Sequence, residues 1–429
     1  MRRAIWPQAW LWFGWALLCL SCGQRASEAE RVPAPIRAAS SKATPQPALP
    51  SAELHGAADR GRELVQRFEC SRCHEGTGFA SAPLSKNCFS CHEQILSGRF
   101  PVSAQALARF RPHVASAREA PSLMAIAERL QGAWVRDYLL GPFDLRPKLT
   151  PTMPRLALDY VQASDIAAYL TESAAPEPPL AVPAGNASRG RELMDQKGCA
   201  SCHAFSGVPP FTSAEELPAD STTARAAALA PDLRFTRLRF RQDQLPRWLL
   251  DPRSLKPDTR MPNFELTPGD ASDIAAYILG APLAIPSQAP FVRLPVLTRR
   301  VPFEEVNRVV FSRTCHHCHT DAESAGGDGG PGNTGGFGFA PRGVSFSSHA
   351  SIMAGYTDTQ GQRRSLFEPL ADGSPRLVAA LLARHAELNG SARQRQGEQG
   401  VRGMPLALPP LSAEAIQLVE TWVAQGKPL

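Results

Sequence analysis

Apolar residues recur at helical spacing behind a small polar or acidic residue in three places. Ile166, Ala167, Tyr169 and Leu170 follow Ser164-Asp165; Ile274, Ala275, Tyr277 and Ile278 follow Ser272-Asp273; Ile416, Val419 and Val423 follow Ser412 and Glu414. Apolar positions three or four apart form one stripe on a helix, and Ser or Asp ahead of the stripe is an N-cap signal. Each stretch therefore predicts a helix that closes a block. Upstream, Arg60-Gly61-Arg62-Glu63-Leu64 returns as Arg189-Gly190-Arg191-Glu192-Leu193, so two copies of one unit are expected. A looser third block opens on residues 306–313. Strand signals are few, and the fold class expected is mostly α. Segments 32–51, 174–188 and 281–302, rich in Pro, Ala and Ser, read as tethers.

The N-terminus has a different pattern. Met1-Arg2-Arg3 precedes an apolar stretch, residues 4–20, and small residues follow at Ser21-Cys22-Gly23. A basic start, a short apolar run and small residues describe an export signal. The expected organisation is a signal (1–22), a tether (23–51), and blocks at 52–175, 186–281 and 302–429, the last with a Gly-rich insertion at 326–338.

Composition narrows the classes. With 43% hydrophobic and 20% charged residues the chain is ordinary globular material, not a disordered, collagenous or multi-span membrane protein. A formal charge of +6 without a lysine-rich run gives no argument for nucleic acid. Cysteine placement is the informative feature. Eight of the ten cysteines fall in four Cys-x-x-Cys-His motifs: Cys70/Cys73/His74, Cys88/Cys91/His92, Cys199/Cys202/His203 and Cys315/Cys318/His319. Two thiols one short turn apart can each form a thioether to a haem vinyl group, and the adjacent histidine then ligates the iron. This is the signature of c-type haem attachment. Disulfides leave the repeated histidine without a role. Zinc suits the nearly ribbon-like spacing of Cys70 to Cys91, but the pairs in blocks two and three have no second pair of their own. Four covalently attached haem c groups are therefore expected.

A sixth ligand is expected from methionine in three cases. Met153, Met261 and Met404 each precede proline, and each lies downstream of its block's motif and ahead of the closing helix. A thioether on a proline-stiffened loop closes over the far haem face and raises the reduction potential. Met124, Met194 and Met353 read as ordinary helix or core residues. The haem at Cys88/Cys91/His92 has no Met-Pro of its own. His113 is the favoured ligand; His55, a residue of another block, or an open site are the alternatives. His316 and His317 lie between two cysteines, where the short chain points them outward, and neither is expected to ligate. Arg234, Arg237, Arg239 and Arg241 alternate with apolar residues; they read as a solvated, ion-paired face, or as partners of haem propionates or of an acidic protein.

Each block resembles a class I c-type cytochrome domain: first helix, haem motif, proline loop, methionine loop, closing helix. Pro121-Ser122-Leu123 with 134–153, and Pro231-Asp232-Leu233 with 248–261, carry the resemblance in blocks one and two. Block three departs from it at its Gly-rich insertion. Residues 19–22, Cys-Leu-Ser-Cys, resemble the lipobox of bacterial lipoproteins, which implies acylation of Cys22 and attachment to a membrane on the periplasmic side of the cell envelope. The resulting expectation is an extracytoplasmic tetrahaem electron carrier working between redox partner proteins. The alternatives are a haem enzyme of thiosulfate dehydrogenase, peroxidase or nitrite reductase type using the Cys88/Cys91/His92 haem, or a haem sensor or wiring subunit of a larger redox complex.

Overall fold

The computed structural model describes residues 51–114, 120–143, 145–149, 153–172, 184–213, 217–218, 221–284, 290–321, 330–388 and 401–429. The export signal, Cys22 and the tether up to residue 50 lie outside the described residues. Block one runs through α1 (Ser51–Arg67), α2 (Cys88–Ser97), α3 (Ala104–Val114), α4 (Gly132–Leu140) and α5 (Tyr160–Thr171). Block two contains α6 (Ala187–Gln196), α7 (Leu245–Leu250) and α8 (Pro268–Gly280). Block three contains α9 (Phe303–Val306), which continues into a π-helical stretch Asn307–Cys315, then α10 (Arg376–Leu388) and α11 (Ala413–Ala424). Among the described residues the one sheet is a two-stranded antiparallel pair, Tyr356–Thr357 with Arg363–Arg364. The protein is mostly α.

The repeated Arg-Gly-Arg has a packing cause. α1 packs on α5, and α6 on α8. At each crossing the backbones meet: a Cβ on Gly61 would run into the Asp165 carbonyl, and one on Gly190 into the Asp273 carbonyl. The arginine before each glycine binds the acid across the crossing. Arg60 donates Nε and Nη2 to the two Asp165 oxygens, both at 2.8 Å. Arg189 pairs with Asp273 and, at 2.6 Å, with Asp270.

These contacts move the helix starts from where the pattern put them. Asp165 and Asp273 lie inside their helices, held by arginine, and cap nothing. The caps are Asp159, which accepts from the Gln162 amide at 2.8 Å, and Thr267, which accepts from the Asp270 amide at 3.2 Å. Each belongs to a capping box. α11 does begin at Ser412, as its pattern predicts; the hydroxyl accepts from the Ala415 amide at 3.2 Å.

Residues 49–429 form one compact unit, in which the described parts of the blocks are packed together. Val65, Leu130 and Ile166 of block one share a core with Phe240, Leu249 and Ile274 of block two. The seam is an antiparallel bridge between Leu130 and Phe240. There the Gln131 amide donates to the Arg239 carbonyl at 2.9 Å, and the Arg241 amide to the Arg129 carbonyl at 2.7 Å. Residues 129–131 and 239–241 hold the same position in the repeated unit. Like meets like, as at a two-fold interface between identical subunits.

Block three has its own core around Trp422, Phe311, Val306 and Ile416. Residues 290–302, expected as tether, belong to it. Val301 is fully buried and its amide donates to Gln425 Oε1 at 2.9 Å, while the Leu297 amide donates to Thr421 Oγ1 at 2.9 Å. Leu297 and Val301 bring apolar surface that composition alone hid among prolines. A satellite core of Ile95, Phe100 and Val114 supports α2 and α3. Among the described residues no helix is long and apolar enough to cross a membrane.

The glycine crossing makes a testable difference. Gly190→Ala forces two backbones apart and should cost about 1–3 kcal/mol in guanidinium unfolding. Gly280→Ala, with nothing within 4 Å of the new methyl, should stay within about 0.5 kcal/mol.

Candidate haem-binding sites

The first and third motifs in chain order fold alike. Cys70–Arg72 is a 3₁₀ turn entered through Glu69 in the left-handed region (φ 52), and Cys199–Cys202 is one helical turn entered through Gly198 (φ 66). One turn between cysteines sets both thiols on one side. The histidine that follows is then oriented by a proline carbonyl. His74 Nδ1 lies 2.8 Å from the Pro121 oxygen, and His203 Nδ1 lies 2.9 Å from the Pro231 oxygen. A carbonyl only accepts, so Nδ1 carries the proton and Nε2 keeps its lone pair. Burial pushes both imidazoles below their ordinary range, which keeps them neutral. This is how a metal-ligating histidine is held: one nitrogen fixed, the other available.

Both histidines line one cavity of about 1340 Å³, together with Cys70, Cys73 and Met153 of block one and Cys199, Cys202 and Met261 of block two. That exceeds the ~300–1,000 Å³ of an ordinary single-ligand pocket, and leaves room for two large groups. The walls are mainly apolar, with Ile126, Leu139, Leu156 and Leu249 among them. The Met261 sulfur accepts from Trp248 Nε1 at 3.1 Å, and both side chains face the cavity.

Basic residues outnumber acidic ones around this cavity, where Glu69, Glu75, Glu93 and Asp258 are the acids. Arg129, Arg146 and Arg239 all line it. The Nε atoms of Arg129 and Arg239 are sealed from solvent without a hydrogen-bond partner. Burial, then repulsion by Arg129 and Arg146, pushes the Arg239 guanidinium down to about 9. Asp258 offsets part of the burial at Arg129, but the excess of buried cations still favours a further anion, and the propionates of two haems would supply carboxylates there. The donor set, apolar walls and buried cations together fit haem. Of the four alternating arginines, Arg239 alone takes this role. Arg237 donates to the Ala281 carbonyl at 2.8 Å beyond the end of α8, Arg241 pairs with Asp243 at 3.0 Å, and Arg234 reaches Ser206 at 3.3 Å.

In block three the described part of the Gly-rich segment, residues 330–338, lies against the site. Gly332 packs on the His319 ring so closely that a Cβ would collide with it. Burial pushes this imidazole down to about 4 against the pull of backbone at Val344 and Gly332. Cys315 and Met404 both pack against the block-three core. Residues 322–329 lie outside the described residues.

The second motif opens α2. Asn87 caps the helix by accepting from the Ser90 amide at 2.9 Å, Cys91 packs on the satellite core, and His92 is buried. The side chains of His113 and His55 lie outside the described residues. Burial pushes the thiols of Cys70 and Cys199 to about 11 and that of Cys315 to about 12; contact with Cys88 raises Cys73 as well. The thiols are therefore neutral. Among the described residues no three His, Cys, Asp or Glu side chains converge as a zinc ion requires. Met194 is core, whereas Met124 and Met353 are exposed.

The methionine loops of blocks one and three are tied together, which the sequence did not disclose. The Arg155 amide donates to the Leu406 carbonyl at 3.2 Å, and its Nη2 to the carbonyls of Gly403 and Pro405 at 2.9 and 2.8 Å. Arg402 returns a bond to the Arg155 carbonyl at 2.9 Å. Arg155 Nε meets Glu387 Oε2 at 2.5 Å with both side chains nearly buried. Arg155 and Glu387 are too far apart in the chain for any local pattern to connect them. The Arg129/Arg239 pair, in contrast, was detectable, because the two occupy one position of the repeat.

Comparison with known proteins bears on block two. Residues 187–282 match the family model described as Cytochrome c. No curated protein and no solved structure matches the chain. The chain thus carries a cytochrome c domain, and that domain implies covalently bound haem c and haem-based electron transfer.

The loop tie can be broken from one side. Glu387→Ala leaves Arg155 buried without its carboxylate and should cost ~3–5 kcal/mol in denaturant unfolding. The double variant Arg155→Met/Glu387→Leu removes both charges and should recover most of that loss.

Proposed function

We propose that the protein is an extracytoplasmic tetrahaem c-type cytochrome that passes electrons between a donor and an acceptor protein. The observation that carries this reading is the four complete attachment motifs, which use every cysteine outside the N-terminal segment. In two of them the histidine is preset by a proline carbonyl and shares a cavity with a Met-Pro methionine. The haems are held by thioethers from Cys70, Cys73, Cys88, Cys91, Cys199, Cys202, Cys315 and Cys318. His74, His92, His203 and His319 would ligate the irons, with Met153, Met261 and Met404 as further ligands. Haem supplies an iron that exchanges one electron. At three of the sites a neutral imidazole and a methionine thioether would both be available to the iron, which would suit electron transfer without substrate chemistry.

Blocks one and two work as a pair, because their two sites share one cavity and one set of cations. Arg129 and Arg239 would pair with propionates and, as positive charges lining the same cavity, would favour the reduced iron. Export and acylation at Cys22 hold the carrier on a membrane at the periplasmic side of the envelope, within reach of its redox partners.

Acid-acetone extraction of the denatured protein should remove no haem, and haem analysis should give four per chain; stoichiometric zinc without haem would overturn the proposal. Met261→Ala should lower one potential or open one iron to CO and leave the rest. Arg239→Leu should lower the potentials of the haems in blocks one and two. A charge removed at low screening is worth on the order of 1–2 kcal/mol, and a one-electron couple moves about 59 mV per tenfold change in equilibrium constant. An optical redox titration reads both variants.

A further inference from the structure

The second motif has a proximal histidine and no methionine. The structure brings a second imidazole to it from block three. The His317 ring lies with its centre 5.6 Å from that of His92, tilted by 51°. Imidazoles that share one metal at bonds of about 2 Å hold their ring centres roughly 6 Å apart, so the observed separation is close to that of two ligands on one iron. On this basis we infer that His317 is the distal ligand of the haem attached to Cys88 and Cys91, so that this haem is bis-histidine and bridges blocks one and three. The inference rests on the tetrahaem reading above and names the ligand which that reading leaves open.

The turn geometry of the block-three motif directs the two middle histidines differently. His316 Nε2 lies 3.0 Å from the Thr320 hydroxyl and stays within its own block. His317 is exposed on block three, pointing outward as its place between two cysteines requires. What it points at is His92, which is only 7% exposed. The outward direction expected from the sequence is right, and the conclusion that His317 cannot ligate does not follow from it.

The meeting of these rings is supported by contacts that do not involve them. The Phe337 amide of block three donates to Glu69 Oε2 at 3.0 Å, one residue before Cys70. Arg72 lies over the Phe337 ring at 4.9 Å, and its Nε donates to the Lys86 carbonyl at 2.9 Å, two residues before Cys88. Gly338 leaves no room for a side chain against Phe68. A chain of contacts therefore runs from the Gly-rich loop through the turn of the first motif to the start of the second. It holds the backbone on both sides of the His92/His317 pair.

Such a ligand also makes a route for electrons. His317 lies between the two cysteines, Cys315 and Cys318, that would attach the fourth haem, one residue from Cys318. Ligation to the second iron would join two haems through a few residues of one turn. Block three would then be wired to the shared cavity of blocks one and two through the second haem, and a bis-imidazole iron favours its oxidised state compared with the Met-ligated ones.

The test is an optical redox titration with and without CO on wild type, His317→Ala, His317→Met and His113→Ala, each with its haem count. Wild type should show four haems, one of them low in potential and none binding CO. His317→Ala should keep four haems and open one, the lowest in potential, to CO. His317→Met should raise that step toward the others and leave it closed. His113→Ala should change neither. If His317→Ala leaves all four steps and the CO response as in wild type, or if His113→Ala alone opens the low-potential haem, the inference is wrong while the tetrahaem reading stands. If wild type carries no haem on the peptide around Cys88 and Cys91, the tetrahaem reading itself fails, and the inference with it.

Discussion

The glycine crossings of α1 on α5 and α6 on α8 set the frame on which everything else is hung. Backbone meets backbone at Gly61 and Gly190, and each contact is locked by an arginine–aspartate pair. With the two ends of a block clamped, the long middle segment has no choice but to form loops over the space between. Those loops carry the proline carbonyl that orients histidine and the methionine that lines the same cavity. A wider crossing would let the walls drift, and the ligands with them.

Fusing two such frames changes the problem from two sites to one. At the Leu130/Phe240 seam the copies meet through equivalent residues, and the arginine beside each contributes to the same cavity. Repulsion between buried guanidiniums is unfavourable in the polypeptide alone. It becomes useful when an anionic group with a large apolar face occupies the space, because burial strengthens an ion pair once it is made. In the proposed carrier, stability and redox tuning would therefore share one set of residues, and a change at Arg129 or Arg239 would act on both sites together.

Block three is attached by different means. Its methionine loop is bonded to that of block one through Arg155 and Arg402, and its Gly-rich loop lies on the first motif through Phe337. Both attachments are at loops that frame candidate iron sites. Movement of block three is thus coupled to ligand geometry in block one. Polar bonds make most of these attachments, with Phe337 packed on the core of blocks one and two, whereas those two blocks share one continuous apolar core across their seam.

Sequence by itself determined the local chemistry. The four attachment motifs, the three Met-Pro loops, the repeated Arg-Gly-Arg and the closing helices follow from spacing along the chain, because one turn of backbone fixes which side chains share a face. It placed the start of α11 correctly. It misplaced those of α5 and α8, since an aspartate that looks like a cap is indistinguishable from one that binds an arginine a hundred residues away. Only tertiary structure decided that 290–302 packs on the block-three core through Leu297 and Val301, that Arg239 among four arginines faces the cavity, that Gly332 packs on the His319 ring, and that His317 reaches His92. Each depends on which surfaces of separate blocks are pressed together. That is set by the sum of apolar area and paired charge over the whole unit, a quantity no window of the sequence contains.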